Sequence, residues 1–195
     1  MDEREDRIVT LPNLISVIRL ACIPLFVWLL VDDQGLEAAA LLAVLGATDW
    51  VDGWIARHFD QGSNLGKVLD PVADRALLIT AGVGLVVQGS VPLVVGLLVL
   101  VRELVVSVAV LVLAGLGARR IDVRWSGKAG TLAIMVSFPL FLWADSISSG
   151  RDLVLACAWF FAIVGLVLGY YAALLYVPLA RDALREGRSA RVGAR

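Results

Sequence analysis

Charged side chains are scarce in this chain. Of its 195 residues, 18% are charged and 59% are hydrophobic, and the formal net charge is -1. A soluble domain usually has about 25% charged and about 45–50% apolar residues, so this chain is too apolar for a water-soluble fold. The same figures exclude a disordered chain and a coiled coil, and the net charge offers no excess of positive charge for a nucleic-acid partner.

Histidine and cysteine are nearly absent as well. One histidine and two cysteines leave no material for a histidine-rich metal site or for a disulfide framework. Cys22 and Cys157 both lie in apolar runs, where a thiol normally serves as inert packing. The sequence contains no internal repeat, and its composition predicts one compact membrane domain.

Long apolar stretches make up most of the chain. A helix needs about 20 apolar residues to cross a bilayer, and six stretches meet that need, although the second turns polar after residue 47. They are residues 12–31, 36–57, 71–89, 92–117, 129–144 and 153–178. The sequence therefore predicts an all-α integral membrane protein with six transmembrane helices.

The regions outside this predicted transmembrane domain (12–178) differ in charge. The charged leader (1–11) lacks the basic start and the cleavage site of a signal peptide. Basic residues gather in the leader, in alternate loops and in the tail (179–195), so the positive-inside rule predicts both termini in the cytoplasm, at the inner cell membrane. The tail is either a cationic helix on anionic headgroups or a disordered solubilising segment.

Four aspartates fall where lipid-embedded residues are expected. Asp49 and Asp52 are three residues apart and share one helix face, and Asp70 and Asp74, four apart, share a face of the next helix. The ten-residue turn over 57–66 lets these helices pack antiparallel, so all four carboxylates can meet near the cytoplasmic end. Charged groups inside a span are costly and mark a function by default.

Four carboxylates in a low-dielectric pocket need a cation to stay ionised together. Ligands that are all oxygen select a hard ion, Mg²⁺ or Mn²⁺, and two such ions suit displacement at phosphorus. Two alternatives are a carboxylate-based transporter of protons or cations and a structural salt-bridge cluster with Arg57 and Arg75. The salt-bridge cluster is unbalanced, because four acids face two bases.

The residues around these acids match a longer pattern. Every fixed position over 49–74 fits Asp-x2-Asp-Gly-x2-Ala-Arg-x8-Gly-x3-Asp-x3-Asp. This pattern resembles the signature of the CDP-alcohol phosphatidyltransferases. The start of the chain (10–24) and the pairs Arg102-Glu103 and Gly127-Lys128 are similar to the phosphatidylglycerophosphate and cardiolipin synthases of that family, so the resemblance covers all but the tail.

The resemblance implies a role for each signature residue. Asp49, Asp52, Asp70 and Asp74 would hold a pair of divalent ions on the diphosphate of a CDP-linked lipid, and Asp74 would also be the general base. The nucleotide would be bound by Asp52, Gly53, Ala56, Arg57 and Gly66. The family fold has six transmembrane helices, usually in a homodimer, with a pocket open to the cytoplasm.

The implied reaction transfers a phosphatidyl group from CDP-diacylglycerol to an alcohol and releases CMP. Candidates for binding the acceptor are Arg102, Arg124 and Lys128, although Arg102 beside Glu103 is also explained as a buried structural pair. Arg19, one turn inside the first span, either lines the pocket or extends to the interface. A catalytically silent scaffold is a further alternative.

The acceptor stays open between several alcohols. Enzymes resembling phosphatidylglycerophosphate synthase usually carry a second Lys after the Gly-Lys pair and an Arg after the Arg-Glu pair, and this chain has neither. Their absence favours phosphatidylglycerol, as in a cardiolipin synthase. Glycerol 3-phosphate is the main alternative, and inositol phosphate is another.

Overall fold

Six helices form the described part of the chain, which in this computed structural model covers residues 10–58, 66–115 and 125–193. Side chains are described at Thr10 and over 13–48, 69–108 and 125–175. The helices are α1 (Leu11–Val31), α2 (Gly35–His58), α3 (Gly66–Gln88), α4 (Leu93–Gly115), α5 (Trp125–Ser146) and α6 (Arg151–Gly193). The prediction of six helices is confirmed.

Three helix boundaries lie about one turn or more from those predicted. Helix α3 begins at Gly66 rather than near Pro71, so Asp70 lies inside it. Helix α5 begins at Trp125, about one turn before the predicted start. Helix α6 continues through the predicted tail to Gly193, which agrees with the helical alternative for that segment.

Three helical segments are long and apolar enough to cross a membrane, judged on the described side chains. They are Asn13–Val31, Trp125–Ser146 and Arg151–Leu175, and Gly35–Thr48 is a shorter apolar helix. Large apolar side chains such as Val31, Val94 and Val167 are well exposed. Exposed apolar surface on this scale marks contact with lipid or with another protein.

The packing of the helices brings the start of α1 beside the start of α3. Helix α1 packs against both α2 and α3, α5 against α2 and α6, and α4 against α3 and α6. At the far end, Gln88 at the end of α3 donates to the carbonyl of Leu30 at the end of α1, 3.3 Å away. We call one end of the bundle the signature end. It holds the start of α1, the second half of α2 and the start of α3.

Glycines bring α5 and α6 into very close contact near the signature end. A Cβ added to Gly130 would lie 2.8 Å from the backbone nitrogen of Gly169 and 3.0 Å from the carbonyl oxygen of Gly165. Backbone atoms cannot move aside as a flexible side chain can. Small residues at such crossings allow van der Waals packing between helices inside a membrane.

We expect Gly130→Ala to destabilise the protein by about 1–3 kcal/mol, because the added methyl overpacks a contact between two backbones. The measurement is the thermal unfolding midpoint in detergent. Gly46→Ala is the matched control, since its Cβ would meet Met135 Cβ at an ordinary 3.8 Å. Equal midpoints for the two variants would contradict the tight crossing.

Candidate catalytic site

One face of α1 carries polar residues through an otherwise apolar helix. Asn13, Ser16 and Arg19 follow one another at intervals of three and are buried, with exposed fractions of 4%, 0% and 0%. Thr10 caps the helix by accepting a hydrogen bond from the backbone N–H of Asn13 at 3.3 Å. A buried polar row of this kind requires partners on the facing helix.

The facing helix is α3, and its partners are the last two signature aspartates. The hydroxyl of Ser16 donates to Oδ1 of Asp70. The guanidinium of Arg19 donates to Oδ1 of Asp74 and forms an ion pair with it. Spacings of three on α1 and four on α3 therefore place two polar contacts side by side.

The Arg19–Asp74 pair is closed on one side and open on the other. The Arg19 side chain is fully buried, whereas that of Asp74 is 31% exposed. A buried guanidinium is costly unless it is paired, so the carboxylate stabilises Arg19 in its place. The open side leaves Asp74 within reach of a ligand, and Arg19 belongs to this cluster rather than to the membrane interface.

The other signature residues lie on α2 and at the start of α3. The backbone of α2 carries Asp49, Asp52, Gly53, Ala56 and Arg57 in its last turns. At these positions, and at Gly66, the first residue of α3, the structure describes the backbone alone. The predicted meeting of all four carboxylates stays a prediction.

The described half of the acid cluster fits a divalent cation in its chemistry. Asp70, Asp74 and the hydroxyl of Ser16 offer only oxygen donors, the kind that Mg²⁺ and Mn²⁺ prefer. Among the described side chains there is no group of three potential ligands of His, Cys, Asp or Glu type. The two remaining predicted ligands, Asp49 and Asp52, fall outside that set.

A second polar cluster joins α4 to the start of α5. Arg102 pairs with Glu103 and also donates to Oγ1 of Thr131 at 3.0 Å and to the carbonyl of Gly127 at 3.3 Å. Arg102 and Glu103 are each 7% exposed. The sequence offers two explanations of Arg102, a contact to the acceptor and a buried structural pair with Glu103. The second explanation describes the contacts seen here.

This cluster also depends on α6. A Cβ at Gly169 would lie 2.8 Å from Nε of Arg102, so the guanidinium rests against the bare backbone of α6. Lys128 is exposed in the first turn of α5. Arg124 lies outside the described residues. The three predicted acceptor cations are therefore not seen as one group.

The comparison with known protein families identifies the fold and the chemistry together. A family model for the CDP-alcohol phosphatidyltransferases matches residues 9–171. The chain belongs to the CDP-alcohol phosphatidyltransferase family. The resemblance predicted from residues 49–74 is confirmed, and a CDP-alcohol phosphatidyltransferase is an enzyme of the membrane rather than an ion transporter.

Individual relatives bear names of two kinds. The chain is 38% identical over 186 residues to the cardiolipin synthase (CMP-forming) of Streptomyces coelicolor, covering 92% of this chain and 86% of that protein. It is 35% identical over 186 residues to the CDP-diacylglycerol–glycerol-3-phosphate 3-phosphatidyltransferase of Shigella flexneri serotype 5b, covering 90% and 97%.

A third relative is a fusion protein. The cardiolipin synthase (CMP-forming) / mitochondrial hydrolase fusion protein of Schizosaccharomyces pombe is 41% identical over 105 residues, which are 54% of this chain and 18% of that protein. CDP-alcohol phosphatidyltransferases act on CDP-diacylglycerol and an alcohol, and they generally use a divalent metal.

The partners of Asp70 and Asp74 could not be assigned from the sequence. The sequence gives no role to Ser16, and it allows two positions for Arg19. The available signal was the interval of three among Asn13, Ser16 and Arg19 in an apolar helix. That interval marks a shared face but does not reveal which helix it meets.

Proposed function

We propose that this enzyme transfers the phosphatidyl group of CDP-diacylglycerol to a hydroxyl of phosphatidylglycerol, forming cardiolipin and releasing CMP. The observation that carries the proposal is the buried polar seam between α1 and α3, which holds Asp70 and Asp74 at the signature end of an apolar bundle. The charged headgroup of a lipid could bind at these polar contacts while its acyl chains lie against the apolar surface of the bundle.

We infer that Asp49, Asp52, Asp70 and Asp74 hold two divalent ions, Mg²⁺ or Mn²⁺. When bound, these ions would supply the positive charge that neutralises the diphosphate and the departing CMP. The nucleotide is expected against the small surfaces of Gly53, Ala56 and Gly66, with Arg57 on the diphosphate. These assignments rest on the signature positions in the sequence.

Asp74 is the proposed general base. Its partly open carboxylate accepts the proton of the acceptor hydroxyl, while that oxygen forms a bond to the phosphorus nearer the diacylglycerol. The bond from this phosphorus to the oxygen of CMP breaks in the same displacement, and CMP keeps the electron pair. Arg19 holds the carboxylate of Asp74 in position, and Ser16 does the same for Asp70.

The contacts of Arg102 bear on the choice of acceptor. Its guanidinium contacts Glu103, Thr131 and the carbonyl of Gly127, and the residue is only 7% exposed, so it offers little open surface to the phosphate of an acceptor. An acceptor such as glycerol 3-phosphate carries a mobile phosphate that needs several cations. We propose that Arg102 acts by holding the start of α5, and that Arg124 and Lys128 contact the acceptor.

A parallel assay decides the acceptor. Purified enzyme receives labelled CDP-diacylglycerol with phosphatidylglycerol, glycerol 3-phosphate or inositol phosphate, and the lipid product is separated by chromatography. We expect cardiolipin and CMP to form in the first reaction only, and only when a divalent ion is present. Phosphatidylglycerophosphate as the main product would replace the proposed acceptor, and no CMP release with any acceptor would contradict the activity.

We further infer that the enzyme is a homodimer of the inner cell membrane, with both termini and the active site on the cytoplasmic side. The loop charges support that orientation. The proposed organisation keeps a short leader (1–11), the catalytic transmembrane domain (12–178) and a basic tail (179–195).

A further inference from the structure

Helix α6 meets α4 and α5 at a single buried residue, Gly169. A Cβ added there would lie 2.8 Å from Nε of Arg102 on α4. A Cβ added to Gly130 of α5 would lie 2.8 Å from the backbone nitrogen of the same Gly169. The reaction proposed above assigns no role to any residue of α6, so this contact between three helices has no function in it.

The next residue along α6 forms a hydrogen bond to α4. The hydroxyl of Tyr170 donates to the carbonyl oxygen of Leu98 at 2.9 Å. Leu98 precedes Arg102 by four residues in α4, so the helical pattern pairs the same carbonyl with the backbone N–H of Arg102. Gly169 therefore contacts the side chain of Arg102, and Tyr170 contacts the helical turn that carries it.

The position of Tyr170 differs from that of a tyrosine that only anchors a helix in the membrane. Such tyrosines lie at the lipid–water interface, and Tyr171, which is 54% exposed, suits that position. The hydroxyl of Tyr170 is bonded to a helix carbonyl instead, and a carbonyl oxygen has a second lone pair for such a donor. This bond links α6 to α4.

The guanidinium of Arg102 continues the link from α4 to α5. It donates to Oγ1 of Thr131 at 3.0 Å and to the carbonyl of Gly127 at 3.3 Å. Its Nε is buried and has no hydrogen-bond partner among the described residues. Packing against Gly169 therefore fixes that side of the group, and a shift of α6 would change how Arg102 reaches α5.

The part of α5 that Arg102 contacts carries a candidate acceptor residue. Gly127 lies in the first turn of α5, and Lys128 follows it directly. Thr131 also donates to the carbonyl of Gly127, at 3.2 Å. Lys128 is exposed, and because its ammonium sits on a flexible stem, the backbone of this turn decides which region the charge can reach.

We propose that Gly169 and Tyr170 are positioning residues for the acceptor. They hold Arg102, which in turn holds the first turn of α5 and so places Lys128. This assignment rests on the proposed function, since it takes Lys128 as a contact of the acceptor. The donor is assigned to residues of α2 and α3, so these two residues of α6 should affect the KM for the acceptor and not the KM for the donor.

The first test removes one hydroxyl. Tyr170→Phe keeps the ring and loses the bond to Leu98, and Tyr171→Phe is the matched control at the exposed neighbour. CMP release is measured over a range of phosphatidylglycerol and of CDP-diacylglycerol concentrations. We expect the KM for phosphatidylglycerol to rise about threefold in Tyr170→Phe, the effect of one lost hydrogen bond between membrane helices.

The other constants separate positioning from a purely structural role. The KM for CDP-diacylglycerol should stay unchanged in Tyr170→Phe, and both KM values should equal those of the wild type in Tyr171→Phe. A lower thermal unfolding midpoint in Tyr170→Phe with neither KM changed, or with both KM values raised equally, would overturn the assignment.

A double-mutant cycle tests whether Tyr170 acts through Arg102. Thr131→Val keeps a similar shape and removes the oxygen that accepts the Arg102 bond. Changes in one network are not additive in free energy, whereas distant changes without shared partners are. We expect the rise in the acceptor KM of the double variant to be smaller than the product of the two single rises. A rise equal to that product would contradict a path through Arg102.

Amide hydrogen exchange in detergent gives a readout that does not depend on turnover. Peptides over 125–135 should exchange about threefold faster in Tyr170→Phe than in Tyr171→Phe, with the peptides of α1 unchanged. Gly169→Ala should have a larger effect, because its methyl would displace Arg102. Equal exchange in the two tyrosine variants would overturn the inference. Wild-type enzyme that releases no CMP with any acceptor would instead contradict the proposed function and leave the exchange result standing.

Discussion

Replacing Asp74 by asparagine should lower kcat about 1000-fold, because the amide keeps the shape of the carboxylate but cannot take the proton of the acceptor hydroxyl. General-base catalysis typically contributes about 10²–10⁴ in rate. The measurement is CMP release at saturating donor and acceptor with a divalent ion present. Asparagine can still accept a hydrogen bond from Arg19, so the folded protein should persist.

Asp145→Asn is the matched control for this change. Asp145 lies at the opposite end of the bundle, where it pairs with Arg151 at 3.3 Å, and both side chains are well exposed, at 36% and 52%. Exposed pairs of this kind contribute only about 0–1 kcal/mol to stability. Turnover of Asp145→Asn should equal that of the wild type, and a loss of less than tenfold in Asp74→Asn would remove Asp74 as the base.

The helices could be predicted because their signal is local. Apolar runs of about 20 residues indicate membrane helices without knowledge of any neighbour, and a helix appears at each of the six predicted places. Boundaries are less predictable where a proline lies near the expected end of a helix. Pro71 lies inside α3, and α6 passes through Pro178, so tertiary context overrides the local preference of proline.

The catalytic chemistry could be predicted because the signature is a single contiguous pattern. The residues that contact Asp70 and Asp74 could not be predicted. Spacing places Asp70 and Asp74 on one face, but which helix meets that face depends on the packing of α1, which no interval in the sequence reveals. The choice between the two explanations of Arg102 also depends on how the helices pack. Its bonds to Thr131 and Gly127 require the start of α5 to lie beside Arg102 of α4.

Arg19→Met should lower kcat about 100-fold and reduce stability by up to about 3 kcal/mol. Methionine fills similar volume without charge, so Asp74 loses the cation that faces its inner side and stays partly buried without compensation. Removing one partner of a buried pair costs about 3–5 kcal/mol when both groups are enclosed, and the 31% exposure of Asp74 reduces that figure. Thermal unfolding in detergent and CMP release measure the two effects.

Arg19→Lys separates positioning from folding. Lysine restores the positive charge but not the planar fork of the guanidinium, so Asp74 is neutralised and held less firmly. If Arg19 serves only stability, Lys should restore the unfolding midpoint and the full rate together. If it also positions Asp74, the midpoint should recover while kcat stays about tenfold below the wild type, with the KM for donor unchanged. An Arg19→Met enzyme with wild-type kcat would show that Asp74 acts as the base without its contact to Arg19.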